Sequence, residues 1–458
     1  ILLGLCALLV AAGAARWGGH LTITHYLPLD KRPEVLADRA RTILADLGYV
    51  EEAYSDPVDQ AWGLSQWWGV YGEVAEADSS ASRWELLRQR PDAGAFWYRQ
   101  SPRLLQPEPR SPPIFTRGNV QLMNPTPGAP GEAMVLLNLD GRLRRFEVLP
   151  KRFSSREPGE PDGAPLFVLA GLDPARVTAD RPRYQRFMAP DVRRAWVGTR
   201  AERPDLELRV EAGAFEGRPV LINVTTGSSL ESIGNDPEPV RPDLSWHLNN
   251  TLQPVRFLVE ALAAGVFSRR NTHQGRADRR GSLRFAFAAA IMFIVTHVLR
   301  SHAIGTANWA EEIWPILVGA TFVGFIAWAM YSAAEPLGRR VWPTMFVSSS
   351  RLLSRPKVVW RDPVIGQSVL VGVLFGAVRM IIDGPLRWNV GLLTEGAPPR
   401  LMGYNFQMFE GQRQAASWIF DISLLFGYSL IFVMALIGIR MMVKNRVATV
   451  ALTMVVWV

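Results

Sequence analysis

The sequence predicts an α+β extracytoplasmic domain of antiparallel hairpins with packed helices, joined to an α-helical multi-span transmembrane bundle. Three observations carry this. Residues 17–250 hold 24 of the 33 prolines and 32 of the 42 acidic residues, with no long apolar run. Residues 251–458 carry repeated apolar runs and 21 Lys+Arg against 10 Asp+Glu, whereas residues 1–250 have a net charge of −3. Of those 21 basic residues, 15 fall in three segments that alternate with the apolar runs, the pattern of the positive-inside rule.

A chain of 458 residues is long enough for two or three domains. The net charge of +8 could suggest nucleic acid. Its concentration beside apolar spans reads as membrane topology instead, so the bilayer is the expected partner and nucleic acid is not. The single cysteine, Cys6, lies in an apolar run, which leaves no disulfide framework and no thiolate metal site.

Ile1–Ala15 is apolar and ends at Arg16. Residues 1–16 read as a transmembrane helix truncated at its start. The alternative, a signal-peptide core, lacks a charged leader and a clear cleavage site. The last residues, ALTMVVWV, are apolar too, so the chain reads as a fragment of a longer protein.

Within residues 17–250, Asp30 is placed to cap a helix reaching about Leu47, with Val35, Ile43, Leu44 and Leu47 near one face and Gly48 as its stop. Met134–Leu139 and Leu143–Leu149 flank Asp140-Gly141, a strong hairpin signal. Leu206–Ala212 and Pro219–Thr225 flank Glu216-Gly217. Alternation of Leu206, Leu208 and Val210, and of Val220, Ile222 and Val224, gives each strand one buried face. A short echo pairs Leu44-Ala-Asp-Leu-Gly48 and Ala61-Trp62 with Leu169-Ala-Gly-Leu172 and Ala195-Trp196; a duplicated module or chance explains it. Trp62, Trp67, Trp68 and Tyr71 read as core, with a ligand groove as the alternative. Asn223-Val-Thr225 fits a glycosylation sequon but falls on a predicted strand, and is taken as incidental.

Residues 251–458 form a polytopic helical domain of about six spans, truncated at its end. Leu283–Leu299, Ile313–Ala334, Val364–Ile382 and Ala415–Ile439 are spans, Val447–Val458 begins another, and Leu252–Phe267, with Arg256 and Glu260, is the marginal one. Counting it, two basic segments share a face. Arg269–Arg284 includes Arg269, Arg270, Arg276, Arg279 and Arg280; Glu335–Gly366 includes Arg339, Arg340, Arg351, Arg355, Lys357 and Arg361. Arg440, Lys444 and Arg446 join them. That face is then cytoplasmic, and residues 17–250 lie opposite; without the marginal span the domain moves to the cytoplasm.

Chemistry-bearing patterns are sparse. His297 and His302, with Glu311 and Glu312 nearby, read as interfacial anchors ahead of a metal site. Arg379, Asp383 and Asp421 are ionisable residues within or beside spans, and an interhelical Arg379–Asp421 pair is expected; structural pairing is favoured over ion translocation. Gly372 and Gly376 permit close helix approach, within the fold or in a homodimer. There is no Walker loop, nucleophile elbow or kinase motif set. No catalytic, cofactor-binding or metal-binding residue is therefore assigned. A free-standing transporter or intramembrane enzyme using Arg379, Asp383 and Asp421 is the alternative function class.

Several strings resemble the non-kinase region of large multi-span bacterial serine/threonine protein kinases. They are Leu29-Asp-Lys-Arg-Pro-Glu-Val-Leu-Ala-Asp-Arg-Ala-Arg41, Trp97-Tyr-Arg-Gln-Ser-Pro102, Leu166-Phe-Val-Leu-Ala-Gly-Leu-Asp-Pro174, Ser268-Arg-Arg-Asn with Gly275-Arg-Ala-Asp-Arg-Arg-Gly281, Glu335-Pro with Arg339-Arg-Val-Trp-Pro343, and Arg361-Asp-Pro-Val-Ile-Gly366. The resemblance implies a kinase domain before the first span, with ATP and Mg required there and no cofactor in this chain. It further implies a bacterial inner-membrane location and an extracytoplasmic domain that senses an unidentified ligand and relays its state inward.

Overall fold

The computed structural model describes residues 2–19, 23–49, 59–66, 68–77, 81–107, 120–150, 164–183, 190–226, 244–302, 309–341, 343, 346–354, 362–374 and 377, with scattered positions from 419 onward. Eight antiparallel strands form one sheet. Strands β1 (Asp59–Gln66), β2 (Gly94–Ser101), β3 (Ala133–Asn138) and β4 (Leu143–Val148) make a first meander; β5 (Val177–Asp180), β6 (Val192–Thr199), β7 (Glu207–Phe215) and β8 (Arg218–Thr226) make a second. The order β1-β2-β3-β4-β8-β7-β6-β5 joins the meanders along β4 and β8, where Phe146 pairs with Ile222.

Helices precede each meander: α1 (Leu2–Gly19) and α2 (Pro33–Asp46) before β1, and α4 (Ala164–Leu169) before β5, while α3 (Trp68–Ala77) follows β1. The Ala-Trp pairs of the sequence echo fall on β1 and β6, so they do not correspond strand for strand. Helix α2 starts with Pro33 in its first turn, behind Arg32 and without a side-chain cap from Asp30; proline's fixed φ suits that position. Leu36, Ala37, Ala40, Ile43 and Leu44 are buried, whereas Val35 is 54% exposed. Gly48, at φ +80°, ends the helix as expected. With Leu166 and Leu169 of α4, this face covers Phe96, Val135, Leu137, Phe146, Val210 and Ile222.

Both predicted turns form. Gly141 adopts φ +86°, and Glu216 and Gly217 adopt φ 52° and 79°, the two positive values of a type I′ hairpin turn. The expectation of one buried face per strand fails in an informative way, because the second face is buried too. It is built of ion pairs: Arg145 with Glu147 at 2.6 Å on β4, and Arg209 with Glu211 at 2.8 Å on β7. Asn223 of β8 pairs in register with both Arg145 and Glu211. On β2, Arg99 is fully buried against Glu132. Alternation with charged residues satisfies a solvated face and a buried, fully paired one equally well.

The remaining described helices are α5 (Leu244–His273), α6 (Arg279–Arg300), α7 (Trp309–Val341), α8 (Val347–Ser354) and the short apolar α9 (Pro363–Leu374). Two segments among the described residues, Arg279–Arg300 and Ile313–Arg340, are long and apolar enough to cross a membrane. Helix α7 packs against both α5 and α6. Ser268 of α5 meets Ser332 of α7 at 2.6 Å, and Asn271 donates to the carbonyls of Ser332 and Ala333 at 3.0 and 3.2 Å. The close approach of α6 and α7 is at Gly324, where an added Cβ would lie 3.3 Å from the carbonyl oxygen of Ala286. An added Cβ at Gly372 would meet nothing within 4 Å among the described residues, and Gly376 lies outside them.

The marginal span Leu252–Phe267 lies within the 30-residue α5. Its Val255, Leu258, Val259, Leu262 and Val266 are half or more exposed, as are Leu283, Phe287 and Ile291 of α6 and Trp314, Val318 and Phe325 of α7. Three packed helices thus turn apolar faces outward. The segment from Glu335 to Gly366 is only partly a loop: α7 continues to Val341, and Glu335 is buried and paired with Arg339. Of the expected span Val364–Ile382, helix α9 covers residues up to Leu374, while Ala415–Ile439 and Val447–Val458 fall largely outside the described residues.

Candidate functional site

The C-terminal end of α5, the N-terminal end of α6 and the C-terminal end of α7 come together. There Asn271 reaches Ser332 and Ala333, and Gly281 lies beside Tyr331. This gathers Arg269, Arg270, Arg276, Arg279, Arg280, Arg339 and Arg340 at one end of the helices, all exposed. Arg351, also exposed, pairs with Asp362 at 3.2 Å; Arg355, Lys357 and Arg361 lie outside the described residues.

At the other end, past α6, His302 Nε2 meets Asp59 Oδ1 of β1 at 2.7 Å, with both side chains largely buried. Asp59 also accepts from the backbone N–H groups of Gln60 and Leu105, each at 2.8 Å. It thus ties the sheet's edge strand, the segment after β2 and the helix end together. His297 is turned inward, stacked on Phe293 at 3.9 Å. The two histidines therefore have separate partners, and among the described residues no group of three or more metal-ligating side chains occurs.

Trp62 and Tyr71 do not form a common groove. Trp62 stacks on Phe96 at the main core, while Tyr71 stacks on Trp84 in a second core beneath α3. Trp67 and the side chain of Trp68 lie outside the described residues, as do Arg379, Asp383 and Asp421.

A different constellation stands out at one end of the sheet, where loops of both meanders enclose a cavity of about 250 Å³. Its walls come from the Pro91–Ala93 turn before β2, the β3–β4 turn, residues 200–206 before β7 and the adjoining ends of β7 and β8, and carry five arginines against three carboxylates. Arg90 binds Asp92 through two nitrogens at 2.8 and 2.9 Å and reaches Glu73 at 3.1 Å. Arg142 reaches Glu202 at 3.0 Å and Asp140 at 3.4 Å. Arg203 is held by Asp205 at 2.9 Å.

Arg144 and Arg200 are placed differently. Arg144 donates to the carbonyl oxygen of Asp92 at 2.8 Å, and Arg200 to those of Ala170 and Gly171 at 2.9 and 3.2 Å. Burial pushes Arg144 down to about 10; Asp92 opposes the shift, and the charges of Arg90 and Arg200 deepen it. It is still a cation at neutral pH. Burial, then the charge of Arg142, lowers Arg200 as well, against the pull of Asp140, Glu202 and Asp92. Burial alone would raise Asp92, yet hydrogen bonds and charge from Arg90, with the charge of Arg144, hold it below the usual carboxylate range. The five lining arginines are thus matched by Asp92, Asp140 and Glu202 in the lining and by Glu73 and Asp205 beside it, in a partly desolvated space. Asn138, 6% exposed, lines it, and its Oδ1 is buried with no hydrogen-bond partner among the described residues.

Sequence reasoning passed over this cluster because its members come from separate turns. One local signal was available in Arg144-Arg145. Two consecutive arginines break strand alternation, and the β3–β4 register does shift between Leu136 and Leu137, leaving Arg144 as the extra residue. Among the described residues no His, Cys, Ser or Lys lines the cavity, so it offers no nucleophile beside a base.

The fold and the site describe an antiparallel-sheet domain with an arginine-lined cavity, attached to helices long and apolar enough to cross a membrane. The chain matches no known protein family, no curated protein and no solved structure.

Proposed function

We propose that this chain is the sensory and anchoring region of a membrane signalling protein, with the sheet domain on the extracytoplasmic side of a bacterial inner membrane. The observation that carries the reading is the polarity of the helices. Basic residues cluster at one end, and the sheet is joined to the opposite end by His302 and Asp59. Under the positive-inside rule the basic end faces the cytoplasm. Helix α5, which leaves the sheet after β8 and ends at the basic cluster, then crosses the bilayer despite its lower apolarity. Attachment to a serine/threonine kinase rests on the sequence resemblance.

Relay requires that a change at the sheet be felt at the basic end. His302→Ala removes a hydrogen bond to a carboxylate, worth about 1.5–3 kcal/mol. Amide hydrogen exchange in β1 is expected to quicken about tenfold or more. Exchange in the turn between α5 and α6 is expected to change with it. Loosening confined to β1 would leave a membrane anchor without a relay and would remove the sensory half of the proposal.

A further inference from the structure

We propose that the basic end of the helices is a binding site for an anionic phospholipid, whose phosphate lies against Arg270 and Arg279 while its acyl chains run along α5 and α6. This rests on the membrane-spanning reading of those helices and names the lipid class they select.

Three observations converge. The first is charge left unbalanced. Among the described residues at this end, Arg269, Arg270, Arg276, Arg279, Arg280 and Arg340 are exposed and enter no ion pair. Only Arg339 is paired, with Glu335, and Asp278 is turned to capping α6, where it accepts from the backbone N–H of Gly281 at 2.9 Å. Exposed guanidinium groups with free nitrogens suit bidentate capture of a phosphate.

The second is the order of residues along each helix. Leu258, Leu262, Val266 and Arg270 follow one another at four-residue intervals on α5, as do Arg279, Leu283, Phe287 and Ile291 on α6, and all eight are exposed. Residues four apart share a helix face. Each helix therefore carries a stripe of large apolar side chains headed by an arginine, and both arginines stand at the same end. Such a stripe rises about 18 Å, close to the ~15 Å hydrocarbon depth of one leaflet.

The third is the turn that holds the stripes together. Gly275, at φ +65°, lies in the short connection between α5 and α6. The carbonyl of Asn271 accepts from the N–H groups of Arg276 and Ala277 at 2.9 and 3.3 Å, and the Asn271 side chain is anchored to α7. The backbone bearing the arginines is thus fixed before binding, which lowers the ordering cost. An anionic phospholipid matches each part, with one phosphate for the arginines and two acyl chains for the two stripes. An acidic protein segment matches the charges and leaves the stripes uncovered.

Thermal unfolding of the full chain in dodecyl maltoside tests this. The lipid probes are dioleoylphosphatidylglycerol and dioleoylphosphatidylcholine, and the soluble ones are inorganic phosphate and poly-L-glutamate. A saturable rise in unfolding temperature is expected with phosphatidylglycerol, at a concentration about tenfold or more below that at which phosphatidylcholine acts. The double variant Arg270→Gln, Arg279→Gln changes two exposed positions. It should melt with the parent in detergent alone and need about tenfold more phosphatidylglycerol. Lys31→Gln, Arg32→Gln removes the same charge from the exposed start of α2 in the sheet domain and should respond as the parent does. Equal responses to the two lipids, or equal responses of the Arg270, Arg279 variant and the parent, overturn the proposal. So does a response to inorganic phosphate or poly-L-glutamate in place of the lipid, which would assign the arginines to a free anion or to an acidic protein. A chain that stays in solution without detergent removes the membrane reading and the lipid site together. Lack of lipid selectivity in a chain that needs detergent removes the site alone, and neither result depends on relay from the sheet.

Discussion

Glu132→Gln is expected to destabilise the sheet domain by about 3–5 kcal/mol, the usual cost of leaving one member of a buried ion pair without its opposite charge. Arg99 is wholly enclosed in β2, and its charge is balanced by Glu132 alone among the described residues. The same guanidinium donates through Nη1 to the carbonyls of Gln121, Leu122 and Pro125 at 3.0, 3.2 and 2.7 Å. Glu132 in turn accepts from the backbone of Gly128 at 3.2 Å. One pair therefore shapes the whole approach to β3. The double variant Arg99→Met, Glu132→Leu should regain much of the loss, because the buried charge is gone, but not all of it, because three carbonyls lose their donor. Unfolding of the four chains of the cycle, followed by circular dichroism, measures the coupling. A loss below about 1 kcal/mol for Glu132→Gln would mean that the pair is solvated.

Gly198→Ala should detach the outer edge of the second meander. Gly198 on β6 pairs with Val177 on β5, and an added Cβ would lie 2.1 Å from the carbonyl oxygen of Arg176 and 2.8 Å from Cα of Val177. Both obstacles are backbone, so no side-chain rotation relieves them. Strain of this kind reaches or exceeds about 3 kcal/mol. The cheaper escape is separation of the four-residue strand β5, which also withdraws Asp180 from Arg209. Limited proteolysis near residue 180 should become much faster while the main core keeps its protection. Unchanged cleavage would show that β5 accommodates the methyl group.

What was legible in the sequence was local. Asp140-Gly141 and Glu216-Gly217 announce their turns because the glycine of each takes a positive φ that other residues rarely adopt. Gly48 announces the end of α2 for the same reason. The buried charged face was not legible, since Arg145-Phe-Glu147 and Arg209-Val-Glu211 have the alternation of half-solvated strands. Whether the polar side meets water depends on what lies over it. The repeated Arg-x-Glu spacing, which lets a strand neutralise its own charges, was the available clue. The cavity was harder still, because Asn138, Arg144 and Arg200 are assembled by pairing of strands distant in the chain. Val35 shows the limit of helical periodicity: a residue one position from the true face reads as core until the sheet fixes the helix rotation.

Sidedness is the claim on which the rest of the functional account stands. In a Cys6→Ser background, Arg183→Cys reports the sheet domain and Arg270→Cys the basic end of α5. A membrane-impermeant maleimide applied to sealed vesicles of known orientation labels one side only. The account predicts that the two cysteines are labelled from opposite sides, with Arg183→Cys extracytoplasmic. Labelling of both from the same side would place the sheet with the basic cluster, remove α5 as a crossing helix and contradict the proposed sensor.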